Sequence, residues 1–285
     1  MNEIMRYPLE LVRKHFDNAA VQYDAHAGLQ REIADRLLEH LDGLKLEPKT
    51  IVDAGCGTGY CTRALQKLYP RARVTGIDIA PLMVDQAKRQ RRWFGRNPGY
   101  LVADAHATEF ADNSIDLLVS NLTVQWCDPD LVLQEFARVL KPGGLLLLSS
   151  FGPDTLVELR RAWQAVDAHE HVHSFVDMHD LGDAMGRNGF ASPVLDVDRL
   201  VIPYDSVSKI FEDLKGIGAQ NLAPARARGL TGKKLFRSFC SELEAQAVNG
   251  SLQLTYEAVF AHGWAGQRHQ PASETVVPFP KLRTR

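Results

Sequence analysis

The chain has 285 residues, 45% of them hydrophobic and 24% charged, which excludes a disordered or fibrous protein and leaves room for a large α/β domain with an insertion. A formal net charge of −2 excludes a global basic field, so nucleic acid is not the expected partner. The four cysteines form no CxxC pair and no apolar run has the length of a membrane span, so a reducing, cytoplasmic setting with no membrane contact is expected.

Apolar residues recur at helical spacing over residues 6–41, most regularly at Leu29, Ile33, Leu37, Leu38 and Leu41, and Pro48 ends the segment. Residues 50–54 read as a short apolar strand running into the turn Gly55-Cys56-Gly57-Thr58-Gly59, followed by an amphipathic helix to Tyr69. Strand and helix alternate again at 73–78 and 81–92, and a third strand at 100–103 ends at Asp104. A fourth strand at 115–121 precedes a helix capped by Asp128, opened by Pro129 and stopped by Pro142-Gly143-Gly144, with a fifth strand at 145–151. This alternation predicts a mostly parallel α/β sheet covered on both faces.

Further on, helical patterns at 154–168, 177–188, 206–216 and 233–247 surround a strand at 199–203, and a β-rich stretch at 252–264 leads into a polar tail. The organisation expected is N-terminal helices over 1–48, a strand–helix core over 49–151, a helical segment with completing strands over 152–265, and a flexible tail over 266–285.

Asp53-x-Gly55-x-Gly57-x-Gly59 joins a strand to a helix, where glycine lets a ligand approach the backbone and the helix start offers unpaired N–H groups. The spacing differs from the GxGxxG of dinucleotide binding, and no GxxxxGK[ST] element accompanies it. Asp78 closes the second strand, where a carboxylate accepts from ribose hydroxyls, and Asp104 with Ala105 closes the third, facing an adenine edge.

Through VDAGCGTG, GIDI, ADA and ARVLKPGGLLLLS, residues 50–151 resemble the class I S-adenosylmethionine-dependent methyltransferases. The resemblance implies a Rossmann-like seven-stranded sheet with N-terminal helices and a helical lid after strand five, and S-adenosylmethionine as cofactor. It also implies Asp53, Gly55 and Gly57 at the methionine and ribose end, Asp78 and Ile79 at the ribose, Asp104 and Ala105 at the adenine, and Asn121 in the same site.

Methyl transfer from a sulfonium is an in-line displacement that requires alignment and exclusion of water. A carboxylate acceptor is already ionised and needs no general base. After the fourth strand comes Ser120-Asn121-Leu122-Thr123-Val124-Gln125-Trp126, unlike the Asn-Pro-Pro-Tyr loops that grip bases or amides, and Trp126 is either a pocket wall or plain packing.

Over residues 10–265 the chain is similar to the biotin-synthesis methyltransferases that esterify malonyl-acyl carrier protein. The stretches that carry the similarity are Val12-Arg13-Lys14-His15-Phe16-Asp17-Asn18-Ala19-Ala20 with Tyr23-Asp24, Leu29-Gln30-Arg31-Glu32-Ile33-Ala34-Asp35-Arg36-Leu37, Phe151-Gly152-Pro153-Asp154-Thr155-Leu156 with Glu158-Leu159-Arg160, and Asp213-Leu214-Lys215-Gly216-Ile217-Gly218-Ala219-Gln220-Asn221. The similarity implies that Tyr23 helps close the cofactor pocket and that the segment after strand five is a substrate lid. Arg160, Lys215, Arg199 and Asn221 are the candidates for a substrate clamp, each also readable as an exposed charge or polar surface residue. Carrier proteins are acidic, so two basic runs are candidate docking surfaces: Lys88, Arg89, Arg91, Arg92 and Arg96, and Arg226, Arg228, Lys233, Lys234 and Arg237.

His169-Glu170-His171-Val172-His173 lacks the spacing of a metal site and is expected to be a polar surface turn. Cys61 and Cys127 are expected as core or rim residues. The lid stretches also resemble complex I assembly factors that hydroxylate a protein arginine on the same fold. The N-terminal segment favours the carrier-protein methyltransferase, and a non-catalytic cofactor-binding module is a third reading.

Overall fold

Residues 7–90, 95–219, 221 and 232–266 are described by a computed structural model. Strands β1 (Thr50–Ala54), β2 (Arg73–Asp78), β3 (Gly99–Val102), β4 (Ile115–Asn121) and β5 (Leu140–Phe151) run parallel. β7 (Leu252–Ala265) pairs antiparallel with β5 and with the edge strand β6 (Phe190–Tyr204), giving the order β3-β2-β1-β4-β5-β7-β6. This is the Rossmann-like seven-stranded sheet expected from the sequence.

The central strands are buried on both faces because helices cover both. Ile51, Leu117 and Leu147 point into one core with Ile33 and Leu37 of α3 (Gly28–Glu39) and Leu65 of α4 (Tyr60–Leu68). Their neighbours Val52, Leu118 and Leu146 point into the opposite core with Phe136 of α6 (Pro129–Val139) and Leu181 of α8 (Met178–Arg187). Two-residue alternation within each strand thus feeds two separate layers.

Two boundaries differ from the sequence reading. The helix before β5 ends at Val139, ahead of Pro142-Gly143-Gly144. Those residues instead form an irregularity inside β5, where the pairing with β4 shifts between Ile115 and Leu117 and Gly143 has φ +77°. The strand expected at 199–203 extends back to Phe190, with Ser192 at φ +49° and Pro193 at a register shift against β7. Proline is tolerated there because β6 is an edge strand and the shift removes a ladder bond in any case.

The remaining helices build the site. α1 (Leu9–Ala19) and α2 (Tyr23–His26) precede the sheet, α5 (Pro81–Arg89) follows β2, and α7 (Val157–Gln164), α9 (Val207–Gly216) and α10 (Lys233–Glu244) lie in the segment after β5. No helix among the described residues is long and apolar enough to cross a membrane. Residues 91–94, 226, 228 and 267–285, which carry part of both basic runs and nearly all of the tail, lie outside the described residues.

Candidate active site

The three acids sit at successive strand ends along one rim of the sheet, as their spacing predicts. Asp78 Oδ2 accepts from the Gly57 N–H at 2.8 Å and Oδ1 from the Ala80 N–H at 2.8 Å, which locks the carboxylate against the glycine turn. Burial pushes its carboxyl up to about 6, and the two N–H bonds resist that shift. Asp53 is fully buried. Its Oδ2 accepts from the Thr62 hydroxyl at 2.5 Å, while Oδ1 has no partner among the described residues. Burial raises its carboxyl to about 7.

Gly55 and Gly57 serve different needs. At Gly55, φ is +77° and a Cβ would lie 1.9 Å from Thr123 Oγ1, so the β1 turn and the loop after β4 touch only because the side chain is missing. At Gly57, φ is +51° and a Cβ would meet nothing within 4 Å, because it would project into the crevice. A buried carboxylate oxygen without a partner and an open cradle at Gly57 fit a polar, nucleoside-bearing ligand such as S-adenosylmethionine.

Asp104 is set by its neighbour. Oδ1 accepts from both the backbone N–H of His106 at 2.9 Å and ring Nδ1 at 2.8 Å, while ring Nε2 accepts from the Asp128 N–H at 3.0 Å. The backbone donor on one nitrogen fixes the proton on the other, and the His106 bonds hold the Asp104 carboxyl below its ordinary range. Ile79, Ala103, Ala105 and Asn121 line the same crevice.

The N-terminal helices close over it. Asp24 accepts from the Thr58 hydroxyl at 2.6 Å and from Gln90 Nε2 at 2.7 Å, fastening α2 to the glycine turn and to the end of α5. Asp17 accepts from the Leu82 N–H at 2.8 Å in the first turn of α5. Tyr23 is thereby placed in the crevice wall, where burial and the nearby Asp78 and Asp24 push its phenol well up and keep it neutral. Arg31, which sequence reasoning did not single out, lines the same end as Asp53 and has no ion pair among the described residues. A guanidinium and an unsatisfied carboxylate oxygen there match the two charges of an amino-acid zwitterion. Only the fold brings them together, although their charges were legible.

The loop after β4 forms the far wall. Leu122 has φ +51° and its N–H is held by Ser149 O at 3.1 Å and Ser149 Oγ at 3.0 Å. Trp126 is a wall residue: its ring meets Phe16 edge-on at 5.5 Å, Tyr7 at 6.0 Å and His173 at 5.2 Å, and it lines both the crevice and a second cavity.

That second cavity, of about 490 Å³, is mainly apolar, with Phe151, Leu159, Trp163, Phe175, Phe211 and Tyr256 in its walls. It lies between the end of β5, α7, α9 and β7. Of the clamp candidates, Lys215 and Asn221 line it, and Asn221 Nδ2 donates to Glu170 O at 2.7 Å. Arg160 does not: its guanidinium donates to the carbonyls of Pro153 at 2.9 Å, Thr155 at 3.2 Å and His173 at 3.2 Å, a structural use that holds the chain around α7. Arg199 is on the edge strand β6, ion-paired with Asp154 and away from the cavity.

The histidine run is not a surface turn throughout. His171 stacks on Trp163 at 3.7 Å and bonds Asp167 at 2.9 Å, and His173 is buried against Tyr7 at 4.7 Å. The aromatic partners that bury these rings lie elsewhere in the chain, which is why local polarity misleads. Cys61 is buried in the core and Cys127 lines the crevice, and burial pushes both thiols up, away from the reactive thiolate.

Residues 52–148 match the family model described as a methyltransferase domain. A malonyl-[acyl-carrier protein] O-methyltransferase from Laribacter hongkongensis is 44% identical over 89% of this chain and 88% of its own. Among solved structures, the YcgJ protein of Bacillus subtilis has a TM-score of 0.58 at 16% identity, covering 83% of this chain and 99% of that one. Geranyl diphosphate C-methyltransferase from Streptomyces coelicolor, in complex with Mg2+, geranyl diphosphate and S-adenosyl-L-homocysteine, has a TM-score of 0.50 at 17% identity, covering 82% and 78%. At these identities the structural likeness is one of fold.

Proposed function

Because this chain belongs to the malonyl-[acyl-carrier protein] O-methyltransferase family, we propose that it methylates the free carboxylate of malonyl-acyl carrier protein with S-adenosylmethionine, making the methyl ester used in biotin synthesis. The observation that carries this reading is the wall shared at Trp126, with the crevice of the strand-end acids Asp78 and Asp104 on one side and an apolar cavity on the other. Donor and acyl acceptor each have a compartment, and they meet at one boundary.

S-adenosylmethionine, when bound, supplies a methyl group on a positively charged sulfur that leaves with the bonding electron pair. The residues to hold it are Asp78 and Ile79 at the ribose, Asp104 and Ala105 at the adenine, and Asp53, Gly55, Gly57 and Arg31 toward the methionine end. Tyr23 and α2 exclude water from above. Transfer of that methyl group to the acceptor carboxylate would cancel a positive and a negative charge and would require no proton movement at any side chain. An apolar surround favours that charge loss over the same reaction in water.

The carrier protein docks on α10, whose Lys233, Lys234 and Arg237 are exposed, and α10 packs against α7 and α9, two helices that wall the apolar cavity. Lys88, Arg89 and Arg96 belong to the β2 and β3 side of the sheet, with α5, away from that cavity. Lys215, exposed at the cavity wall, reaches the thioester arm.

The test is intact-mass measurement of malonyl-acyl carrier protein after incubation with enzyme and S-adenosylmethionine, with malonyl-coenzyme A and unacylated carrier in parallel. Addition of one methyl group to the malonyl carrier, abolished by Asp78→Ala, is expected. Cofactor binding without any methyl addition would overturn the assignment.

A further inference from the structure

Resting on the carboxylate acceptor proposed above, we propose that Gln30 and Trp126 are a pair of neutral hydrogen-bond donors that hold that carboxylate at the boundary between crevice and cavity. Both residues occupy the boundary itself. Gln30 lines the end of the crevice that holds Asp53 and also lines the apolar cavity, while Trp126 lines the end that holds Asp78 and Asp104 and the same apolar cavity.

Both also have unused polar capacity. Gln30 Oε1 is buried with no hydrogen-bond partner, and its carboxamide makes no bond with any described residue. Its Nε2 is the group that donates to a carboxylate, whereas Oε1 is an acceptor that an ionised carboxylate does not satisfy. The indole N–H of Trp126 has no acceptor among the described residues either, although the ring is fixed on three sides by Tyr7, Phe16 and His173. The main-chain carbonyl of Gln30 accepts from Asn121 Nδ2 at 3.2 Å, and Asn121 Oδ1 accepts from the Ser149 hydroxyl at 2.7 Å, which ties α3 to the end of β4. The Trp126 donor therefore does not have to be reorganised when the substrate arrives.

Neutral donors are also what the chemistry requires. The carboxylate loses its charge as the ester forms, so a cation paired with it would stabilise the starting state more than the transition state and slow the step. An amide N–H and an indole N–H orient the carboxylate at smaller cost. This explains why the cations near the cavity are placed otherwise, with Arg160 spent on three backbone carbonyls and Lys215 exposed at the rim.

The experiment compares wild type with Gln30→Met, Gln30→Glu and Trp126→Phe, measuring kcat/KM on malonyl-acyl carrier protein and cofactor affinity by titration calorimetry. Expected are a loss of about tenfold in kcat/KM for Gln30→Met and Trp126→Phe, each one hydrogen bond, and about 100-fold or more for Gln30→Glu, which sets a second negative charge against the substrate. Cofactor affinity, measured alongside because both residues also line the crevice, is expected to change less than kcat/KM in every variant, and thermal denaturation reports that each is folded. The uncharged methyl ester product should inhibit wild type and Gln30→Glu alike, a result that a merely structural role for Gln30 would not give. An active wild type with Gln30→Glu equally active, or with cofactor affinity lost in parallel with activity, overturns the clamp and leaves the carboxylate reading standing. A wild type that binds cofactor and forms no ester overturns both.

Discussion

His26 Nδ1 lies 2.8 Å from Asp213 Oδ1, a contact that ties α2, which closes over the crevice, to α9, which walls the apolar cavity. The helices meet closely: a Cβ on Gly216 would fall 2.3 Å from His26 Cδ2. Removing the tie with His26→Ala is expected to lower stability by about 1 kcal/mol in thermal denaturation and to raise KM for the acceptor several-fold, with a smaller change in cofactor affinity. An unchanged acceptor KM would show that the two caps act independently.

The buried acids are expected to make cofactor binding depend on pH. Asp78 and Asp53 titrate near 6 and 7 in the folded chain, above the ordinary carboxylate value of about 4. Between roughly pH 4 and 7 the folded protein therefore retains protons that the unfolded chain has released, and stability without cofactor falls as pH rises through that window. A ligand with a positive sulfur and an ammonium group prefers both carboxylates ionised, so its affinity rises over the same range, by about tenfold from pH 5 to 8 through Asp78 alone. Calorimetry across that range checks the slope, and a flat profile contradicts the assigned contacts.

Two glycines of one turn should fail in different ways. Gly55→Ala drives a methyl group into Thr123 with the backbone at φ +77°, and a loss of about 2–4 kcal/mol is expected, read as a fall in Tm. Gly57→Ala meets no protein atom, so a loss nearer 1 kcal/mol, from its φ of +51°, is expected, together with cofactor affinity weakened at least about tenfold. Equal behaviour of the two variants would refute the distinction.

Charge reversal on α10 tests the docking surface. Lys233→Glu, Lys234→Glu and Arg237→Glu together should raise KM for malonyl-acyl carrier protein by about tenfold at low salt and remove its salt dependence, with cofactor affinity unchanged. The same substitutions at Lys88, Arg89 and Arg96 should leave KM near the wild-type value. The reverse pattern would move the carrier to the other side of the sheet.

Much of this site is legible in the chain because it is local. The run from Asp53 to Gly59 carries its strand, turn and helix start within a few residues, and Asp78 and Asp104 close strands whose apolar patterns are plain. What escapes is whatever depends on distant pairing. β6 carries Asp196 and Asp198, which pair with His40 and Arg36 at the C-terminal end of the distant α3, and a proline near its start, so only its C-terminal third reads as strand until β7 supplies a partner. His173 is written among polar residues and is buried by Tyr7. Arg160 has the right charge for a clamp, but its orientation is set by three carbonyls that no spacing rule reveals. Gln30 and Trp126 read as one residue of an amphipathic helix and one of a loop, and only packing brings both to the boundary.

The place of β7 also bears on how the molecule is made. It follows both β5 and β6 in the chain yet lies between them in the sheet, so β6 has no strand neighbour until β7 emerges from the ribosome. The strands that frame the cofactor crevice are all synthesised earlier and can pair with one another first. Tyr256 in the wall of the acyl cavity rides in on β7. The nascent chain thus has the strands of its strand-end crevice well before its apolar cavity is complete, and the unpaired edge of β5 is the surface most exposed to wrong partners in the interval.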